Sequence, residues 1–420
     1  MNATWTIAGA TLANGVTTDL HVSDGVFVES APSGAQKIDA QGLVALPGLV
    51  DLHTHLREPG GEEAETIATG TAAAARGGFT ATFAMANTSP VTDTPDRVEN
   101  VRRLAEGAST EVVPIGAVTA ALKGGELSDI TGMAERTGVR VFSDDGFSVP
   151  TARLVREAME LIKPFDGVLA EHCQDPTLAG PGACCDEGPV SRDLGHEGWP
   201  GIAESVIIAR DVQIAKYLDA RLHLCHISTA EGVEIVRWAK QRGVRVTAEV
   251  MPHHLLLTSE ELRSGETTYK VNPPLRSAED VEACRQALAE GTIDIVATDH
   301  APHRKQDKDK PFPEAKPGMV AIEHVLSVVI ETMINQGRLS WSGLADRMSH
   351  RPAQIGRLAH QGRPVAVGEP ANLVLVDPAA RSLVDREQAL SKGRNNTYHG
   401  RDLPDPVVAT FWRGRQTFSR

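Results

Sequence analysis

A chain of 420 residues, 41% of them hydrophobic, can fill one large domain and a small one. Its 42 Lys and Arg against 55 Asp and Glu leave a net charge of −13, with no basic run to follow a nucleic-acid backbone, so nucleic acid is not an expected partner. No apolar stretch is long enough for a bilayer, no basic-then-apolar leader opens "MNATWTIAGATLANG", and the five cysteines are odd in number and irregularly spaced, so the expectation is a cytoplasmic, membrane-free protein without a disulfide framework.

Residues 1 to about 43 carry short alternating runs ("TWTIAGATL", "DLHVSDGVFVES", "AQKIDAQG") broken by Gly, Asn and Asp, the texture of antiparallel strands and turns. The tail resumes it in "ANLVLVDPAA" and "DPVVATFWRGRQTF", so residues 1–43 and 366–420 are expected to form one flanking β-sandwich domain from both termini. Between them, over 44–365, strand-like runs alternate with helical patterns eight times. The runs are Leu49 to His55, Phe79 to Asn87, Glu111 to Thr119, Val139 to Asp145, Val168 to His172, Arg221 to Ser228, Val244 to Val250 and Ile293 to His300. Eight strand-then-helix units predict an α/β chain built on a (β/α)8 TIM barrel. In "EEAETIATGTAAAARGG" the acidic residues are expected to open the first helix and Gly77-Gly78 to close it. The adjacent Cys184 and Cys185 in "GPGACCDEGP" read as loop, since neighbouring thiolates share one tetrahedral metal poorly.

Such a barrel does its chemistry at the C-terminal ends of its strands. Strand one ends in "DLHTHLREPG", where alternation puts Asp51, His53 and His55 on one face, followed by Arg57. Strand two ends in Asn87, strand four in Asp144-Asp145, strand five in His172, strand six in His226, and strand eight in Asp299 with His303 close behind. Four imidazoles and two or three carboxylates therefore meet on one rim, a donor set for divalent metal. His53, His55 and Asp299 could hold one Zn2+, His172 and His226 another, and a carboxylate from the Asp144-Asp145 pair could bridge them. A water between two such ions loses a proton near neutral pH, and Asp299 is placed to take the remaining proton and hand it to a leaving nitrogen. Asn272, ahead of Pro273-Pro274, either holds an amide against substrate or forms a turn. His223, His253, His254 and His300 are expected to be ordinary packed histidines.

The segments "PGLVDLHTHLREPG", "FSDDG", "EHC", "CHIS", "KVNPPLR" and "ATDHAPH", in this order, resemble the amidohydrolase superfamily and within it the type I dihydroorotases, over nearly the whole chain. The resemblance implies the same barrel and flanking sandwich. It also implies zinc-dependent, reversible cyclisation of N-carbamoyl-L-aspartate to L-dihydroorotate in pyrimidine synthesis. It places His53, His55 and Asp299 on the first zinc, His172 and His226 on the second, and Asp145 between them. Arg57, Asn87 and His303 are implied at the substrate carboxylate, Asn272 at the ring, and Pro317-Gly318 along its backbone edge. Many relatives bridge their metals with a carboxylated lysine, and "GVRVFSDDGF" has none, so both one and two zinc ions per subunit stay open. A homodimer and a complex with aspartate transcarbamoylase are the protein partners implied.

Two other functions compete. A hydantoinase, dihydropyrimidinase or allantoinase would open a similar ring, but Arg57 suits a carboxylate that hydantoins and dihydrouracil lack. A non-catalytic companion of aspartate transcarbamoylase would have lost ligands, and every position is filled here. The charged, proline-bearing run Arg304 to Gly318 reads either as a solvated loop or as a lid over the substrate.

Overall fold

The computed structural model describes residues 4–420. Both ends of the chain meet in one eight-stranded sheet: Trp5–Leu12, Thr17–Ser23, Val26–Val28, Gln36–Asp39 and Val44–Pro47 from the N-terminal side, Leu373–Val376, Val407–Trp412 and Arg415–Ser419 from the C-terminal side. The seam is antiparallel, Leu373 opposite Pro47 and Val376 opposite Val44. Alternating positions bury Ile7, Val22, Phe27, Leu375 and Phe411 on one face. Trp5 packs edge-on against Phe411 at 5.2 Å and donates its indole N–H to Gly414 O at 2.9 Å. The sheet runs to Pro47, four residues past the expected limit at 43. Gly48 then lets the chain turn inward: a Cβ there would lie 2.3 Å from Thr80 Cγ2.

The eight expected parallel strands are all present and shorter than their apolar runs: Leu49–Thr54, Phe79–Ala84, Glu111–Pro114, Val141–Phe142, Val168–Glu171, Leu222–Leu224, Val246–Val250 and Ile295–Val296. The first three pair in order, as do the last five. Parallel bridges between Gly116 and Phe142 and between Thr54 and His300 join the two sets at both ends, so the pairing runs through all eight and returns to the first. Val50, Leu52, Phe83, Ile115, Ala170 and Ile295 fill one apolar cluster drawn from most of these strands. A larger cluster lies between strands and helices, where amphipathic helices such as Ala152–Ile162 and Ala230–Gln241 bury one face.

The helix after strand one is Ile67–Arg76. Thr66 caps it through Thr69 N, so the acidic residues precede the first turn instead of occupying it. Its C-cap is Gly77, as expected. Cys185–Asp186 is a short strand paired with Gly198–Trp199, where a loop was expected. All five cysteines are buried and unbridged. No described helix is long and apolar enough to cross a membrane.

Candidate metal centre and its cavity

The end of strand one is shaped for its two histidines. Pairing with strand two loses register between Asp51 and Thr54, re-aiming the stretch that carries His53. Asp51 accepts Thr298 N–H at 3.0 Å and the hydroxyls of Thr298 and Thr54, and His55 N donates to His300 O at 2.9 Å, so strands one and eight are tied where their ligand candidates emerge. Three residues here sit at positive φ, Arg57 at 61°, His226 at 38° and Asp299 at 43°. Non-glycine residues adopt that region at a cost when the surroundings fix a side chain's direction.

The expected ligands converge. Asp145 Oδ1 lies 3.3 Å from His53 Nε2, 3.3 Å from His172 Nδ1 and 3.4 Å from His226 Nε2, while Oδ2 lies 3.2 Å from His55 Nε2. Asp299 Oδ1 is 3.0 Å from His55 Nε2 and 3.6 Å from His53 Nε2. His226 Nε2 and His172 Nδ1 are 2.9 Å apart. Asp144 is elsewhere: it accepts Val118 N at 2.7 Å, Thr119 N at 2.9 Å and the Thr119 hydroxyl, so it secures a loop while Asp145 faces the histidines. Burial works against ionising Asp145, but His53, His172 and His226 hold its carboxyl well below the usual range. Burial likewise disfavours charge on His53, yet Asp145 and Glu249 overcome it and push that imidazole well above its ordinary value. For Asp299 the contest again ends in ionisation, burial opposing and His55 and His53 prevailing.

The residues fit a metal. His53 Nε2 is buried with no hydrogen-bond partner among the described residues. Around it, ligand atoms of His53, His55 and Asp299, and of His53, Asp145 and His226, lie within 4.8 Å of one another. Nitrogen and carboxylate donors in this number suit Zn2+. The ring nitrogens facing away are largely held: His53 Nδ1 by Glu249 at 2.7 Å, His55 Nδ1 by Asn87 Oδ1 at 3.0 Å, and His172 Nε2 by Gln174 Oε1 at 2.8 Å.

A cavity of about 230 Å³ opens on this cluster, lined also by Arg57, Asn272, His303, Lys316, Pro317 and Gly318. Arg57 commits Nε to Pro302 O at 3.2 Å, leaving its two terminal nitrogens for a ligand. Asn87 gives Oδ1 to His55 and Nδ2 to Asp145 O, and Asn272 Nδ2 contacts Gln174 Oε1 at 3.0 Å while its Oδ1 is buried without a partner. Burial, then Arg57 and Lys308, depress the His303 pKa to about 3. The neutral ring donates Nε2–H to Pro317 O at 2.8 Å, so it can donate to an anion only by giving up that bond. Gly318, at φ 140°, makes this approach feasible, since a Cβ would stand 2.7 Å from His303 Nε2.

The 304–318 segment is pinned in place. Lys308 is buried and donates Nζ to the carbonyls of Thr267 (3.0 Å), Lys270 (3.0 Å) and Lys316 (2.8 Å), and Lys270 reaches Pro313 O. His253 and His254 are buried and belong to none of the ligand groups, His253 with neither ring nitrogen partnered among the described residues. Sequence reasoning missed Glu249, Gln174 and Asn395, which holds His303 N, Ala301 O and Gly318 O. A glutamate inside the apolar run "VTAEV" was a usable signal, because an unpaired carboxylate is rarely buried. "GRNNTY" in the distant tail offered none.

The family model described as dihydro-orotase-like matches residues 42–232. A protein of Streptomyces coelicolor named dihydroorotase is 54% identical over 418 residues, spanning 98% of this chain and 97% of its own. The chain belongs to the dihydroorotase family. A second member, from Leifsonia xyli, is 53% identical over 99% of this chain and 96% of its own length. Among solved structures, dihydropyrimidinase from Brevibacillus agri superposes with a TM-score of 0.86 at 22% identity over 99% of this chain and 95% of that one, a likeness of fold.

Proposed function

We propose that the chain catalyses the reversible cyclisation of N-carbamoyl-L-aspartate to L-dihydroorotate, a step of pyrimidine synthesis. The observation that carries this reading is that Arg57, its two terminal nitrogens without a partner among the described residues, lines one cavity together with the histidine–carboxylate cluster. A cyclic amide with a ring carboxylate matches both sides at once. The circuit of eight parallel strands is read as the (β/α)8 barrel, over 44–365, and the sheet of both termini as the flanking sandwich.

In this reading His53, His55 and Asp299 would hold one Zn2+ and His172 and His226 a second, with Asp145 available to both. When bound, the metal supplies Lewis acidity and lowers the pKa of water. The chain's own residues do the rest. Arg57 takes the ring carboxylate through two parallel charge-assisted bonds, with Asn272, Asn87 and His303 completing the pocket and Pro317-Gly318 its edge. Asp299, ionised and within 3.0 Å of His55, accepts a proton from the attacking water. The water oxygen joins C4, the C4–N3 bond breaks, and the same carboxyl returns the proton to N3. Ring closure runs the steps in reverse.

The deciding experiment is elemental analysis of protein purified without added metal, with ring-opening assays on dihydroorotate, dihydrouracil and hydantoin. Two zinc ions and preference for dihydroorotate, abolished by chelation, are expected. Preference for hydantoin or dihydrouracil would overturn the substrate assignment, and a metal-loaded protein that opens no ring would favour the non-catalytic companion.

A further inference from the structure

Beneath the ligand cluster lies a buried chain of groups that the reaction does not use. Glu249, on strand seven, is fully buried, as are His53 and His223 on strands one and six. Its Oε1 is 2.7 Å from His53 Nδ1 and its Oε2 is 3.0 Å from His223 Nε2. His223 Nδ1 in turn meets the Thr247 hydroxyl at 2.9 Å. Thr247 and Glu249 are two apart and share one strand face.

A carboxylate only accepts, so both imidazole nitrogens facing Glu249 carry protons. His53, donating from Nδ1, then has its lone pair on Nε2, the nitrogen that faces Asp145 and Asp299. His223, donating from Nε2, accepts at Nδ1 from Thr247. Among the described residues no Lys or Arg pairs with Glu249; its ion-pair contacts are these two rings alone. A buried carboxylate without a cation is costly unless positive charge stands close by. The Asp145–His53–Glu249 line offers two places for it, the His53 ring itself and the centre on the ring's far side, where a metal would stand.

We propose that Glu249 is a positioning residue: braced by His223, it fixes the His53 ring with Nε2 toward the metal centre, and it adds a third buried carboxylate charge, after Asp145 and Asp299, that favours a divalent ion there. The inference rests on the metal-centre reading above. It also commits the Glu249 carboxylate to two imidazoles, which keeps it from serving with His53 and Cys225 as a competing donor group, their ligand atoms lying within 4.8 Å of one another.

The test is zinc affinity of the full chain, measured by competition with a chromophoric chelator, beside the denaturant stability of the metal-free protein. Glu249→Gln keeps an acceptor for His53 and removes the charge, since His223 can move its proton to Nδ1 and accept the amide N–H. Glu249→Leu removes both. Zinc should bind roughly 10-fold more weakly to Glu249→Gln and up to about 100-fold more weakly to Glu249→Leu, the scale on which hydrogen-bond partners of metal ligands act. Metal-free Glu249→Gln should be at least as stable as the wild type, because a buried charge has gone. A glutamate that merely joins three strands would give the reverse, lower metal-free stability with unchanged zinc affinity, and that result overturns the proposal. If Glu249→Leu does not fold, Glu249→Gln decides alone. His226→Ala separates the two levels of the argument. Should the wild type bind zinc no better than His226→Ala, the metal centre itself is misread and the inference falls with it. Should His226→Ala lose zinc while Glu249→Gln stays within twofold of wild type, only the inference fails.

Discussion

Arg57→Met separates substrate recognition from the rest of the site. Methionine keeps an apolar stem of similar length and is as poorly suited to φ 61° as arginine, so the backbone cost is unchanged and the fold should persist. What disappears is the Nε bond to Pro302 O and the pair of terminal nitrogens, without partners among the described residues, on a side chain that lines the cavity. Hydrogen bonds to charged groups contribute about 1.5 to 3 kcal/mol each. Two of them at the lower half of that range, because the cavity mouth admits water, give about 3 to 4 kcal/mol. At 1.4 kcal/mol per decade, kcat/KM for dihydroorotate should fall on the order of 10² to 10³-fold. The assay is kcat/KM for dihydroorotate and for dihydrouracil, the same ring without the carboxylate, in wild type, Arg57→Met and Arg57→Lys at equal metal content. Dihydrouracil should be a poor substrate throughout and change little. The lysine variant should fall between the others, since it keeps the charge and loses the planar fork. A loss shared equally by both substrates, or one below tenfold for dihydroorotate, would refute the carboxylate clamp.

The adjacent aspartates should part company: Asp144→Asn should retain its metal and lose about 1 to 2 kcal/mol of stability through the Thr119 hydroxyl it no longer accepts, whereas Asp145→Asn should lose metal. Metal analysis and denaturant melts check both, and metal loss from Asp144→Asn would reverse the assignment. His253, buried with both nitrogens unpartnered, has its pKa depressed to about 4, by burial first, with nearby Asp299 pulling the other way and His226 adding to the depression. The unfolded chain takes up a proton near 6.5 that the folded chain refuses until about 4, so this group removes stability as pH falls through that window, at up to about 1.4 kcal/mol per pH unit. Metal-free His253→Leu should show a correspondingly shallower acid limb, and parallel stability profiles from pH 7 to 4.5 would contradict it.

The strand ends were legible because polar side chains gather where the apolar runs of parallel strands stop, and each run announces its own end. His53, His55, His172, His226 and Asp299 could be placed on one rim from spacing alone. The strands proved shorter than the runs, since the fourth ends at Phe142 and the eighth at Val296. The choice between Asp144 and Asp145 was not legible in the strand pattern and came only from the family resemblance, because adjacent residues at a strand end differ only in which way the loop turns. The Val118 and Thr119 amides that claim Asp144 come from a different unit. Nor could sequence show that Asn87 and His303 already have partners in the free site, or that Lys308, one cation in a charge run, is buried among three carbonyls. Those facts belong to contacts across the rim, which no single segment contains.

Positive φ at Arg57, His226 and Asp299 implies that the strand ends spend stability to aim their side chains, and Asp299 allows this to be measured. A non-glycine residue in the left-handed region costs about 1 to 2 kcal/mol relative to its ordinary conformations. Asp299→Ala and Asp299→Gly both remove the carboxylate, its contacts with His55 and His53, and its repulsion with Asp145, so their difference isolates the backbone. At a position with ordinary φ, alanine would be the more stable of the two by about 0.4 to 1 kcal/mol, because glycine loses more chain entropy on folding. At φ 43° the order should invert, with glycine ahead by roughly 1 kcal/mol in metal-free protein, read as the difference in denaturant midpoint at equal m-value. The same inversion should appear between His226→Ala and His226→Gly, at φ 38°. If alanine is the more stable residue at both positions, the strand ends hold no strain and the ligands are aimed by side-chain packing alone.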